Sequence, residues 1–266
     1  MTTLMTTTIK DTFEQDGFYL ARGLFSGLEL EEMQEEFDRI VKQVTAGEET
    51  ANAGWQGEAA KKLNGEGRTI VHTHQVQDHS SAYTRAFQSP KFLETSAEIL
   101  GPNIILHHSK LFMKPPKAGS GFPIHQDWGY FPTEKDSMIA AVIHLSDATD
   151  EMGCFRLVPG SHRLGREQGT MGGGGKMSNP LLDQYPLDEA TPLEAKAGDV
   201  VFFHYFTLHG SFPNDSDQSR KTVLVQMHSG DDVLENPDQH PYARVALKGH
   251  NTRLLRVGSG PSYNKG

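Results

Sequence analysis

His125 and Asp127 stand two positions apart in the run GFPIHQDWGYFP. On an extended strand, side chains at i and i+2 leave the same face, so an imidazole nitrogen and a carboxylate oxygen could reach one metal ion. Two ligands do not make a site, and a His-x-Asp pair occurs by chance in many proteins. A third ligand must come from a distant strand, and AGDVVFFHYFTLHGSFPN offers His209, just past a hydrophobic run that starts after the turn at Gly198-Asp199. Two histidines and one carboxylate on one face of an octahedron leave the other positions open, the arrangement used by non-haem Fe(II) oxygenases. The chain holds 13 histidines, so His107, His108, His144, His162, His204 and His228 compete for the same role or simply stack, cap or face solvent.

Arg220, at the head of RKTVLVQMHS, supplies what such a centre would need next. The open positions require a bidentate cosubstrate, and a 2-oxo acid chelates through its keto and carboxylate oxygens. Its far carboxylate then needs a fork of donors, which a guanidinium matches in geometry. His209, Ser211 and Arg220 fit a turn-linked pair of strands that brings ligand and anchor to one pocket.

The surrounding sequence has to position these groups. Residues 26–45, SGLELEEMQEEFDRIVKQVT, open with Ser26 and Glu29 in capping-box spacing and set Leu30, Met33, Phe37, Ile40, Val41 and Val44 on one stripe, which predicts an amphipathic helix. Residues 46–68 are small, polar and glycine-rich and read as a loop. SPKFLETSAEILGP predicts a second helix, with Ser89 capping, Pro90 at the first position, Gly101 ending it and Pro102 preventing continuation. Beyond Gly101, β-branched and aromatic runs appear at NIILHHSKLFMK, SMIAAVIHLS, CFRLVP, DVVFFHYF and KTVLVQMHS, separated by turn residues. A helical start followed by many short strands predicts an α+β, mainly β protein built on a sandwich or barrel. The expected organisation is one domain over residues 1–266: a helical part to about 101, a β core over about 102–230 and an extension over about 231–266. GTMGGGGKMSNP, residues 169–180, fails the phosphate-loop pattern at Thr170 and Met177 and reads as a flexible loop, a lid candidate.

Composition narrows the partners. Lys plus Arg total 25 against 34 Asp plus Glu, a net charge of −9, and no basic block interrupts the acidic balance. No nucleic-acid partner is expected, because phosphate neutralisation needs a basic patch. The lone Cys154 forms no intrachain disulfide, fits a reducing compartment and reads as a buried packing residue. No basic leader and no apolar run of about eighteen residues is visible, so no membrane partner is expected and the expected address is cytoplasmic. The terminal SYNKG does not match a peroxisomal signal. A homodimer is left open.

FEQDGFYLARGLFS, GPNI, the Lys114–Pro116 segment KPP, HQDWGYFP, GCFRLVPGSH, GDVVFFHYFTLHGS and Arg220, in that order, resemble the phytanoyl-CoA dioxygenase family of Fe(II)- and 2-oxoglutarate-dependent oxygenases over most of residues 13–230. The resemblance implies a double-stranded β-helix, a cupin-like jelly roll with flanking N-terminal helices. It implies Fe(II), 2-oxoglutarate and O2 as cofactor and cosubstrates, with His125, Asp127 and His209 as metal ligands. Arg220 is implied to bind the distal carboxylate of 2-oxoglutarate beside Ser211. Alignment of QVQD and SKLFMKPP with the family puts Gln75 and Lys110 at cosubstrate contacts, and Val142 at the cosubstrate wall. Gln75 departs from the lysine of the animal enzyme that names the family.

The expected reaction is oxidation, by default hydroxylation, of an aliphatic C–H in a small molecule or natural product. Asp127 disfavours halogenation, because related halogenases carry a small residue there. Nothing basic marks a surface for coenzyme A phosphates, so an acyl-CoA 2-hydroxylase is an alternative. A non-catalytic metal-binding jelly roll and a Zn(II) hydrolase are others, and both leave Arg220 without a role.

Overall fold

A computed structural model describes residues 8–47, 58–167, 183–237 and 244–253. The chain runs α1 (Ile9–Asp16), β1 (Phe18–Ala21), α2 (Gly27–Ala46), α3 (Glu58–Asn64), β2 (Val71–His74), α4 (Val76–His79), α5 (Ser81–Phe87), α6 (Pro90–Leu100), β3 (Ile104–Lys114), β4 (Phe122–His125), β5 (Ile139–His144), β6 (Phe155–Leu157), β7 (Thr191–Leu193), β8 (Val200–His204), β9 (His209–Ser211), β10 (Arg220–Ser229) and β11 (Val245–Lys248). The pairings between these described strands are all antiparallel. One sheet has the order β1-β8-β5-β10-β3-β11, with β2 also on β3, and a second has the order β4-β9-β6-β7. The fold is thus a β-rich α+β architecture. None of the described helices is long and apolar enough to cross a membrane.

The central strands β5, β8 and β10 of the large sheet are buried on both faces, and strand alternation decides which residue serves which face. Val223, Val225 and Met227 of β10, Ile139, Ala141 and Ile143 of β5, and Val200 and Phe202 of β8 point to the helices and pack with Phe13, Phe37, Ile40, Phe87 and Phe92. The intervening residues, among them Ala140, Val142, Val201 and Phe203, face the small sheet and meet Leu157. Two-sided burial explains why these strands read as unbroken apolar runs. Phe37 and Phe92 are fully buried, and truncating either to alanine would cost about 3–5 kcal/mol.

Several local expectations change. α2 lies where its apolar stripe predicted, but Ser26 makes no side-chain cap, and Glu29 instead pairs with Lys91 of α6 at 2.8 Å. Ser89 precedes α6 without a side-chain cap; only its carbonyl contributes, accepting from Leu93 N–H at 3.0 Å. Within the expected loop 46–68, residues 58–64 are helical. The N-terminal part is not purely helical, since β1 pairs with β8 and β2 with β3, while β11 of the C-terminal extension also joins β3. Cys154 is buried as expected. The glycine-rich segment 169–180 lies outside the described residues.

Candidate functional site

His125 ends β4 and His209 begins β9, and the two are direct partners in the ladder. Their rings lie 4.1 Å apart between centroids. The pairing slips between Phe122 and His125, so β4 carries one more residue than β9 opposite it. Such a bulge re-aims side chains, which is why Phe122 and His125, an odd number of positions apart, both face the same cavity. Asp127 reaches the site by a different route from the one its spacing suggested. The strand has ended at His125, and Asp127 sits in helical backbone at the head of the short turn Trp128–Tyr130. The backbone N–H groups of Asp127 and Trp128 both donate to Tyr205 O, at 2.9 and 3.2 Å. Gln126, fully buried between them, anchors the turn by donating to Phe206 O at 2.7 Å.

His125, Asp127 and His209 offer ligand atoms that all lie within 4.8 Å of one another, the one such group of His, Cys, Asp or Glu among the described residues. Asp127 Oδ1 is 3.4 Å from His125 Nε2 and 3.7 Å from His209 Nε2. Adjacent ligands about 2.1 Å from one octahedral ion would stand about 3 Å apart, so a small contraction suffices. Each Nδ1–H donates to a carbonyl two residues earlier, His125 to Pro123 O at 2.8 Å and His209 to Thr207 O at 2.9 Å. A carbonyl only accepts, so each tautomer is fixed with the Nε2 lone pair turned inward, as a metal requires. Burial, followed by the neighbouring His125 imidazole, lowers His209 to about 4 and keeps it neutral at physiological pH. Burial raises Asp127, but His209, His125 and Lys110 outweigh it and hold the carboxyl below the usual range. This donor set fits Fe(II).

A cavity of about 250 Å³ opens beside these ligands, lined from the small sheet by Phe122, Phe155 and Ser211 and from the large sheet by Val142, Arg220 and Gln226. Arg220 is 5% exposed. One terminal nitrogen donates to Gly153 O, while its Nε has no hydrogen-bond partner and no carboxylate pairs with it among the described residues. Burial lowers it to about 10, so it remains a cation. A buried cation without a counter-ion is costly, and the open cavity is where an anionic ligand would supply one.

Of the other expected residues, Ser211, Lys110 and Val142 line the cavity and Gln75 does not. Gln75 takes a left-handed backbone with φ 53° at the head of α4, donates its N–H to Ser109 O at 2.7 Å and accepts from Gln77 Nε2 at 2.8 Å. Tyr130 and Phe131 line the cavity, whereas Trp128 packs under the Arg166 guanidinium at 5.4 Å.

Sequence reasoning missed two groups. Gln226 donates from Nε2 to Asp127 Oδ2 at 2.9 Å, fixing the second carboxylate oxygen, and its own Oε1 has no hydrogen-bond partner among the described residues. Stepping by two along β10 from Arg220, through Thr222 and Leu224, would have found it. Lys114, fully buried, donates to Ser211 Oγ at 2.7 Å and Phe212 O at 2.6 Å. The Ser211 oxygen thereby accepts from below, and its own proton is available to a ligand.

Residues 13–222 match the family model for phytanoyl-CoA dioxygenase (PhyH). The chain is 30% identical over 266 residues to a probable alpha-ketoglutarate-dependent hypophosphite dioxygenase of Stutzerimonas stutzeri, covering 92% of this chain and 88% of that protein. It is 27% identical over 232 residues to peroxisomal phytanoyl-CoA dioxygenase of Mus musculus, covering 82% of this chain and 67% of that one. The epimerase SnoN, solved with Fe3+, alpha ketoglutarate and nogalamycin RO, superposes with a TM-score of 0.68 at 20% identity, covering 94% of this chain and 95% of that one. At that identity the likeness speaks for the fold. The chain belongs to the phytanoyl-CoA dioxygenase (PhyH) family of Fe(II)- and 2-oxoglutarate-dependent oxygenases.

Proposed function

We propose that this dioxygenase hydroxylates an aliphatic C–H of a small molecule, with Fe(II) held by His125, Asp127 and His209 and the distal carboxylate of 2-oxoglutarate held by Arg220 and Ser211. The observation that carries the reading is the Arg220 guanidinium, buried beside the candidate metal ligands with no carboxylate of its own among the described residues. The two facing sheets are in keeping with a double-stranded β-helix formed by one domain.

Bound Fe(II) with 2-oxoglutarate and O2 supplies the oxidising power, releasing CO2 and placing one oxygen atom in succinate and the other in the product alcohol. The chain contributes placement and exclusion of water. Arg220 and Ser211 fix the far end of the cosubstrate, and Lys114 keeps the Ser211 hydroxyl turned to it. Gln226 holds Asp127 to one oxygen donor. Val142, Phe155 and Phe203 form apolar walls around the reacting centre. Relatives are named for an acyl-CoA, for hypophosphite and for ectoine, so family membership alone does not choose the substrate.

The test is anaerobic addition of Fe(II) and 2-oxoglutarate, following the visible charge-transfer band of the chelate. A band in the wild type that is lost in Arg220→Ala supports the reading. Zn(II) binding without such a band would overturn it.

A further inference from the structure

The cavity carries more positive charge than iron chemistry requires. Asp127 is its one acidic lining residue among those described, against the cations Arg220 and Lys110, with His72 and His74 as further nitrogen groups. On the proposed reading, the charges of Fe(II) and Arg220 are met by Asp127 and the two carboxylates of 2-oxoglutarate. Among the cations lining the cavity, the Lys110 ammonium is then left over, in a chain whose net charge is −9. Concentrating cations in the cavity of an acidic protein focuses its field there and favours an anion.

The excess charge has a definite place. Across β3 and β10, Lys114 pairs with Arg220 and Lys110 with Leu224, so Lys110 stands four residues from the Arg220 row, roughly 13 Å along the sheet. His74 is the direct partner of Lys110 on the edge strand β2, and His72 pairs with Phe112. The rings of His72 and His74 are 5.6 Å apart, and His72 stacks on Phe112 at 6.3 Å. His74 is exposed, while His72 and Lys110 are half-buried, so these groups form the outer rim of a cavity whose deeper lining is buried. Lys110 makes no hydrogen bond or ion pair among the described residues, and burial lowers its pKa while Asp127 opposes the shift.

Resting on the proposed function, we infer that the substrate carries an oxyanionic group, a carboxylate or a phosphate ester, gripped at the cavity mouth by Lys110, His72 and His74, with its apolar part directed inward along Phe112, Tyr130 and Phe131. Lys110, which alignment put at the cosubstrate, serves the substrate instead. Its ammonium donates to the oxyanion, the imidazoles add N–H donors, and the aromatic residues beside them accept a hydrocarbon stem.

The experiment uses the full chain loaded with redox-inert Mn(II) and saturating 2-oxoglutarate, and measures by calorimetry the binding of hexanoate, hexyl phosphate, hexanamide and hexylamine. The two anions should bind at least about tenfold more tightly than the amide and the amine, and the stronger of the two names the oxyanion. Lys110→Met should abolish that preference, and His74→Gln should reduce it. No preference for the anions, or preference for the amine, overturns the inference while Mn(II) and 2-oxoglutarate binding leaves the oxygenase reading standing. Lys110→Met weakening 2-oxoglutarate but not the anions also overturns it. Failure of the wild type to bind Mn(II) and 2-oxoglutarate overturns both.

Discussion

Gln226 Nε2 lies 2.9 Å from Asp127 Oδ2, while Asp127 Oδ1 faces both histidine Nε2 atoms. One carboxylate is thus divided between an oxygen facing the two imidazoles and a restrained one. Groups that orient a metal ligand commonly contribute 10–100-fold to metal affinity. Gln226→Leu should therefore weaken Fe(II) binding by about that factor with the fold retained, and a metal titration followed beside circular dichroism checks it. Unchanged affinity would mean that Asp127 is held by its backbone alone.

Arg220→Ala removes the cation expected to meet the far cosubstrate carboxylate. The KM for 2-oxoglutarate should rise by about a hundredfold, in the range for truncating one side of a buried charge pair. Arg220→Lys should recover only part of this, because an ammonium keeps the charge but not the fork. Equal KM values in wild type and Arg220→Ala would remove the residue from the cosubstrate site.

Burial holds His144 and His204 at about 4, with nearby Arg220 adding to the effect on His144. The unfolded chain, near 6.5, then binds more protons than the folded one between those values. Stability from each histidine is complete above about pH 6.5 and is lost as pH falls toward 4, with a ceiling of about 3 kcal/mol per group. Thermal unfolding of the metal-free protein should show Tm dropping across that window. His144→Gln should flatten the drop, and a Tm that is level from pH 7 to 4.5 in the wild type would contradict it.

What was legible in the sequence follows from how each signal is encoded. β3, β5, β8 and β10 are buried on both faces, so their composition alone marks them, and the apolar stripe of α2 marks that helix. β2, β4 and β9 are three or four residues long and carry polar groups, so nothing periodic identifies them, yet β4 and β9 bear the two histidines proposed as ligands. The triad was reached through His-x-Asp spacing, but strand alternation was the wrong mechanism, since Asp127 owes its position to the Tyr205 carbonyl. That contact joins residues distant in sequence, as does the link from Lys114 to Ser211. Pairings of this kind exist only once the two sheets are assembled.

Lys114 deserves a test because its three N–H donors meet Ser211 Oγ at 2.7 Å, Phe212 O at 2.6 Å and Gly153 O at 3.3 Å. Gly153 O also accepts from Arg220, so one buried ammonium fixes the backbone under the anchor and orients the serine beside it. Burial, and then the charge of Arg220, lower the Lys114 pKa well below that of a free lysine. Lys114→Met would leave Phe212 O without this donor, at about 1–3 kcal/mol for a buried unsatisfied group, while Gly153 O keeps Arg220, and it would release the Ser211 hydroxyl to rotate. The expected result is a lower Tm together with a roughly tenfold weaker Kd for 2-oxoglutarate, measured at a temperature where the variant remains folded. A lower Tm with unchanged Kd would make Lys114 a structural residue only, whereas a matching loss of affinity in Ser211→Ala would place both effects in the same hydroxyl.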